Sequence, residues 1–155
     1  MGLGGHLTWT AVAREIVKKS NNKHLKILPA EFTGNRSANV IQSEIFTNNP
    51  YFTTDIDYEP RFVLPMNLPE TNYCKQDTPT KAVQRGDKHI IEQICEYYGI
   101  MNPELRCEFY LLQEEINKVD NLLKDINKKF IVVEPHSKIS YTPNRAYSFK
   151  KWQKI

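Results

Sequence analysis

The chain has 155 residues, of which 40% are hydrophobic and 25% charged, and its formal net charge is +3. This composition supports a packed core and argues against intrinsic disorder, and the small charge argues against a nucleic-acid surface. We find no apolar run near the ~20 residues of a membrane-spanning helix and no basic, apolar start of a secretory signal.

The first half of the chain predicts one clear helix and several weaker elements. Apolar residues at helical spacing predict an amphipathic helix over Leu7–Val17. Leu25–Leu28 is predicted as a short strand that Pro29 ends. Asn35–Gln42 is weakly helical in pattern, and Ser43–Thr47 is typical of another short strand.

The middle of the chain begins with a long segment that lacks any period. Tyr51–Pro79 is rich in proline and is predicted as a loop, within which Phe62–Leu64 can form a buried strand. Helical spacing returns over Asp87–Tyr98, and Gly99 is predicted to stop that helix.

The last third alternates strands with helices. Cys107–Leu111 is a candidate strand, and Gln113–Ile126 is the clearest helix of the chain, with a continuous apolar stripe. Phe130–Val133 is typical of a strand buried on both faces. A polar loop over Glu134–Tyr147 leads to a final helix over Phe149–Ile155. This alternation predicts an α/β fold: a Rossmann-like parallel sheet with helices on both faces.

Cysteine usage and the two ends add context. Cys74, Cys95 and Cys107 are odd in number and lack metal-ligand spacing, which predicts free thiols in a reducing, cytoplasmic compartment. A glycine loop follows Met1 with no strand before it, and Ile155 falls inside a predicted helix. We therefore expect the chain to be a fragment of a longer protein.

The first candidate site is a glycine turn. Gly2, Gly4, Gly5 and His6 stand directly before the first predicted helix, where free N–H groups attract phosphate or carboxylate. The spacing departs from the dinucleotide fingerprint G-x-G-x-x-G, because Leu7 occupies the place of the last glycine. An ordinary turn between a strand and a helix remains the alternative.

The second candidate site is the loop Pro135–Arg145, which lies between the predicted strand Phe130–Val133 and the final helix. Ligands of open α/β sheets bind at the carboxyl ends of strands, so this loop lies where a site is expected. Ser137 offers a hydroxyl, and Lys138 and Arg145 offer positive charge to a diphosphate. The alternative is a solvated loop with two incidental cations.

The third group consists of cations around the start of the helix predicted over residues 87–98. Lys81, Arg85, Lys88 and His89 could meet an acidic acceptor molecule. Such charges more often form a solvated helix face, and that alternative stays open.

Four segments together resemble glycosyltransferase family 9, the heptosyltransferase-like enzymes of lipopolysaccharide assembly. The opening GLGGHLTWTAVAREIVKK is similar to the family's glycine turn and first helix, and SEIFTNNPYFT to its strand ending in Asn-Pro. HIIEQICEYYGI resembles a helix that ends in Gly-Ile, and FIVVEPHSKISYTPNRAYSFKKWQKI the element that opens the second domain. His6 stands where the family carries an Asp proposed as catalytic base, and Arg145 stands for its basic residue before Trp-Pro.

The resemblance implies a truncated GT-B architecture, in which residues 1–128 form a Rossmann-like acceptor-side domain and residues 129–155 open the nucleotide-sugar domain. It implies His6 as catalytic base and Lys81 and Arg85 as acceptor-binding residues. For the donor diphosphate it implies the following set: Gly4, Gly5, Ser137, Lys138 and Arg145.

The expected activity is transfer of a sugar from a nucleotide-sugar donor to a glycan or lipopolysaccharide-type acceptor. We expect no cofactor, no metal ion and no nucleic-acid partner, with a cytoplasmic location that a lipid acceptor could bring to the inner face of the membrane. Two alternatives stay open. One is a non-catalytic module of the same fold that binds a phosphate ligand. The other is a dinucleotide-dependent oxidoreductase, for which Glu31 lies near the place of the ribose-binding acid.

Overall fold

The computed structural model describes residues 2–33, 38–68, 71 and 88–132. Contacts divide the chain into two units, Met1–Gln113 and Glu114–Ile155. The first unit is a mixed α/β structure with a three-stranded sheet. The predicted domain boundary near Lys128 stays a prediction.

Helix α1, Leu3–Ser20, confirms the first predicted helix and extends it at both ends. Gly2 caps it in an extended conformation, and Asn21 ends it in the left-handed region with φ 52°. The predicted glycine loop was placed too far along the chain, because Gly4 and Gly5 already lie inside the helix. The helix starts early since the N–H groups of Gly5 and His6 both donate to the carbonyl of Gly2, at 2.9 and 3.1 Å.

The sheet has the order β2-β1-β3, with β1 over Lys26–Phe32, β2 over Ala38–Val40 and β3 over Arg61–Pro65. The pair β1–β3 is parallel, but β1–β2 is antiparallel, so the described sheet is mixed and small rather than an extended parallel sheet. Strand β3 confirms the strand predicted around Phe62–Leu64.

Strand β1 runs on through Pro29, which was predicted to end it. Proline cannot donate a ladder hydrogen bond, but its carbonyl still accepts. The N–H of Ile41 donates to the carbonyl of Pro29 at 2.8 Å, and the N–H of Met66 donates to that of Ala30 at 2.9 Å. Both neighbours of β1 thus stay bonded to it beyond the proline.

Two predictions between residues 35 and 47 are wrong in type. Ala38–Val40 forms strand β2, where a weak helix was predicted, because these residues pair with the end of β1. Helix α2, Glu44–Thr47, replaces the predicted strand Ser43–Thr47. The Ser43 side chain caps this helix, and Glu44 suits its positive end, so capping outweighs the apolar pattern.

Helix α3, Ile90–Tyr97, confirms the helix predicted in this region, and Gly99 follows it with φ 66° as expected of a helix stop. Cys107–Leu111 was predicted as a strand but lies outside any strand or helix. Hydrogen bonds between Glu108 and two residues of α1, Thr10 and Arg14, hold part of that segment in place of the pairing of a sheet.

The core of the first unit packs α1 against β1, α2 and α3. Trp9, Ile27, Leu64 and Met66 are fully buried at its centre. Cys95 is buried as well, and burial raises the pKa of its thiol to about 12. Cys95 and Cys107 are free thiols, as predicted, and Cys74 lies outside the described residues.

In the second unit, helix α4 covers Gln113–Leu123, its first residue being the last of the first unit, and confirms most of the helix predicted over Gln113–Ile126. Its apolar stripe is exposed; Val119, for example, is 50% accessible. Ile131 and Val132 were expected in a doubly buried strand, but they are exposed and outside any strand. An apolar run becomes a buried strand only where neighbouring strands pair with it. Val133, the predicted loop over residues 134–147 and the final predicted helix lie outside the described residues.

Among the described residues, no helix combines the length and apolar character needed to cross a membrane.

Candidate functional site

The start of α1 lies near the carboxyl end of β1. After α1 the chain turns back within a few residues into β1, and the two elements pack against each other. Glu31, the next-to-last residue of β1, acts electrostatically on His6, in the second turn of α1. Carboxyl ends of parallel strands are the usual ligand side of α/β proteins, so this edge is the candidate site.

The helix start at this edge is open. A Cβ built on Gly4 would meet no heavy atom within 4 Å, and Gly4 is exposed. No described neighbour therefore requires glycine at this position on steric grounds. Gly5, in contrast, is buried. The open first turn leaves room for a ligand to approach N–H groups that begin a helix, where partial positive charge gathers.

His6 is half-buried and makes one side-chain hydrogen bond within the described residues. Its Nδ1 atom lies 2.8 Å from Oγ of Ser43. The imidazole ring also packs on Phe46, with ring centroids 5.3 Å apart and an interplanar angle of 39°. Phe46 in turn stacks on Phe52 at 4.3 Å, so an aromatic layer supports one side of the ring.

Electrostatics favours a neutral imidazole. Burial lowers the pKa of His6, and the charge of the amino terminus acts in the same direction. Glu31 opposes both effects, but the pKa stays below the ordinary value of 6.5. At neutral pH the ring is therefore uncharged and can accept a proton, which is the property of a general base.

Asn67 ties the ends of β1 and β3 together. Its amide group donates to the carbonyl of Phe32 at 2.8 Å and accepts from the Phe32 N–H at 3.0 Å. This side chain imitates one more residue pair of a ladder beyond the end of β3. Nothing in the sequence marked Asn67, because its partner is 35 residues away.

Five other residues of the predicted site lie outside the described residues: Ser137, Lys138, Arg145, Lys81 and Arg85. Their roles therefore stay predictions.

Lys88 and His89 serve the start of α3. Lys88 forms ion pairs with Glu92 and Glu96, and Nδ1 of His89 accepts the N–H of Ile91 at 3.2 Å. These contacts account for both residues locally, in line with the alternative to an acceptor site.

The sequence also contains a D-x-D spacing, Asp55 and Asp57, a pair of carboxylates of the kind that can bind a divalent metal ion. The expectation of no metal ion overlooked this pair. Both residues are exposed, and the Asp55 carboxylate accepts the N–H of Asp57 at 2.9 Å. This bond shapes a local turn. Within the part of the chain that the structure describes, no group of three or more His, Cys, Asp or Glu side chains could hold a metal ion.

The described residues thus define a mixed α/β protein whose candidate site lies at the carboxyl end of a parallel strand pair. The chain matches no family model, and no curated protein or solved structure is significantly similar to it.

Proposed function

We propose that the chain forms the acceptor-side domain, and the opening of the donor domain, of a glycosyltransferase with GT-B architecture. The observation that carries the proposal is His6: a half-buried imidazole with a lowered pKa, in the second turn of the helix that begins beside the end of β1. The resemblance to glycosyltransferase family 9 adds the substrate class, a nucleotide sugar and a glycan or lipopolysaccharide-type acceptor.

In the proposed reaction, an acceptor hydroxyl attacks the anomeric carbon of the donor sugar. A new bond forms from the acceptor oxygen to that carbon, while the bond from the carbon to the diphosphate oxygen breaks. His6 takes the proton of the hydroxyl, and the nucleoside diphosphate leaves with the electron pair. Ser137, Lys138 and Arg145 are proposed to stabilise the developing charge on the diphosphate, so that no metal ion is required.

The open start of α1 supports this assignment. The donor diphosphate or an anionic group of the acceptor can approach the N–H groups near Gly4, since no described atom lies within 4 Å of a Cβ placed on this exposed residue. A ligand bound at this edge would lie within reach of the neutral imidazole. Proximity of a base to an oriented hydroxyl is a large part of the rate enhancement in transfer reactions.

The experiment that tests the base is a comparison of two histidine variants in the complete enzyme, with hydrolysis or transfer of nucleotide sugars as the assay. His6→Gln is expected to lower turnover by roughly two to four powers of ten, the usual effect of losing a general base. His24→Gln is the matched control, because His24 is exposed in the turn between α1 and β1. Equal turnover in the folded His6→Gln and wild-type enzymes would remove His6 from the mechanism.

Calorimetry with a nucleoside diphosphate tests the donor side. Arg145→Ala is expected to weaken binding strongly, and Arg145→Lys less, because lysine keeps the charge but loses the two-pronged grip on phosphate oxygens. Equal affinity in wild type and Arg145→Ala would place the donor elsewhere. Donor binding without any turnover would favour the alternative, a phosphate-binding module that is not an enzyme.

A further inference from the structure

The contact between His6 and Ser43 joins two elements that are far apart in sequence. The residues are 37 positions apart, and their side chains meet at 2.8 Å. Each partner is held independently: His6 sits on α1 one turn before the fully buried Trp9 and Thr10, and Ser43 is fixed as the cap of α2. Such a contact is built by the fold and restricts the rotation of the imidazole ring.

The hydroxyl of Ser43 already accepts one hydrogen bond. The N–H of Ile45 donates to its Oγ at 3.3 Å. A serine oxygen has two lone pairs and one hydrogen, so one lone pair remains for a second donor. A neutral imidazole carries one hydrogen, and the partner of one ring nitrogen decides which nitrogen carries it.

We propose that Ser43 is the positioning residue of His6: its Oγ accepts a hydrogen bond from Nδ1–H, which leaves Nε2 as the unprotonated, basic nitrogen. This inference rests on the proposed function, since it names the atom of His6 that takes the proton of the acceptor hydroxyl. The capping bond from Ile45 holds the Ser43 oxygen beside Nδ1 and leaves one of its lone pairs for the Nδ1–H group.

The opposite assignment has Ser43 donating its hydroxyl hydrogen to Nδ1, with the ring hydrogen on Nε2. The two assignments differ in the sign of a measurable effect. A bond from Nδ1–H persists and strengthens when the ring becomes charged, so its loss lowers the pKa of the ring. A bond that Nδ1 accepts exists only in the neutral form, so its loss raises that pKa.

Nuclear magnetic resonance of the ¹⁵N-labelled 155-residue chain separates the assignments without any need for activity. In the wild type at high pH, we expect the shifts of a protonated Nδ1 and an unprotonated Nε2. In Ser43→Ala, the ring hydrogen should move toward Nε2 and the pKa of His6 should fall. A wild-type ring protonated at Nε2, or a higher pKa of His6 in Ser43→Ala, would overturn the proposal. If the variant fails to fold, the wild-type measurement is sufficient to decide between the two assignments.

Two further variants isolate the contact. Ser43→Thr keeps the hydroxyl and should keep the wild-type tautomer. Thr47→Ala removes a bond from the Thr47 hydroxyl to the carbonyl of Ser43, at 3.2 Å within α2, and leaves the Ser43 hydroxyl in place. It should perturb the helix without changing the ring. A tautomer shift in Thr47→Ala equal to that in Ser43→Ala would mean that α2 as a whole, and not the serine hydroxyl, orients His6.

In the complete enzyme, Ser43→Ala is expected to lower kcat by about 10- to 100-fold with little change in KM, by analogy with the losses seen when the hydrogen-bond partner of a metal-binding histidine is removed. Ser43→Thr should restore most of it. The two proposals fail separately. If the wild type carries the hydrogen on Nδ1 but His6→Gln keeps full turnover, His6 is not the general base, while the contact that positions its ring stands. Lost turnover in His6→Gln with the hydrogen on Nε2 of the wild type would overturn the role of Ser43 alone.

Discussion

One row of polar residues along helix α1 begins with His6 and ends with Arg14, and these two side chains differ in burial and in hydrogen bonding. His6, Thr10 and Arg14 follow one another at intervals of four residues, which places them on one face of the helix. At the first end, His6 has one side-chain hydrogen-bond partner among the described residues, Ser43, and remains half-exposed. At the other end, Arg14 is 1% exposed and bonded at each of its guanidinium nitrogens.

The partners of Arg14 lie on α1 and on the segment after α3. Its Nε donates to Glu15 at 2.9 Å, and Nη1 donates to the carboxylate of Glu108 at 3.2 Å. The carbonyls of Arg106 and Glu104 accept at 2.8 and 2.7 Å. Burial acts to lower the pKa of Arg14, but the hydrogen bonds to Glu15 and Glu108 raise it overall, so the charge persists.

The difference teaches how to separate a structural polar group from a candidate chemical one. Arg14 is buried and uses four of its five N–H donors in hydrogen bonds within the fold, so it is poorly placed to bind a ligand, and its partners fix the path of residues 104–108. Within the described residues, the second ring nitrogen of His6 has no hydrogen-bonded partner, and His6 lies near an exposed helix start. Burial and strong bonding alone would have favoured Arg14 as the functional residue.

The largest expected effect is on the free energy of unfolding and tests Arg14, at the buried end of the row. Arg14→Met should lower the free energy of unfolding by about 3 kcal/mol or more, because it leaves two carboxylates and two carbonyls without their shared donor. Urea denaturation measures this loss. Lys18→Met is the matched control: Lys18 is 52% exposed and also pairs with Glu15, so its loss should stay within about 0.5 kcal/mol. Similar losses in both variants would contradict the role assigned to Arg14.

The second prediction concerns the middle of the row. The fully buried Thr10 accepts the N–H of Glu108 at 2.9 Å and donates to the carbonyl of Leu7 at 2.7 Å. Thr10→Val keeps the shape of the side chain but leaves the backbone N–H of Glu108 without its acceptor. This loss should lower the free energy of unfolding by about 1–3 kcal/mol. Thr8→Val is the control, since the Thr8 hydroxyl bonds the carbonyl of Gly4 within the same helix. Equal stability of wild type and Thr10→Val would show that the segment is held without this bond.

The smallest effect lies at the His6 end and appears as a pH dependence. The folded-state pKa of His6 is below 6.5, so the unfolded chain binds the proton more tightly. The contribution of the neutral ring to stability is therefore present above about pH 6.5 and is lost as the pH falls through the folded-state pKa. His6→Gln should lose less stability than wild type between pH 7.5 and pH 5.5, as measured by urea denaturation at each pH. Parallel pH profiles would contradict the lowered pKa.

The sequence by itself determined the helices that carry strong local signals. The amphipathic spacing in α1 and α3, the stop at Gly99 and most of α4 were all predictable, because helix formation depends on residues within a few turns. It also pointed to His6, through a glycine-rich stretch at the start of a helix. The same local signals did not show that Gly4 and Gly5 already belong to that helix.

Only the tertiary structure decided the sheet and the partners of the site. Ala38–Val40 is a strand because β1 pairs with it, and the apolar stripe around Val119 is exposed although its pattern matches that of buried helices. Ser43 contacts His6 across 37 residues, and Arg14 reaches carbonyls about 90 residues away. Periodicity records which face of an element is apolar, but the element that covers that face is set by packing over the whole chain.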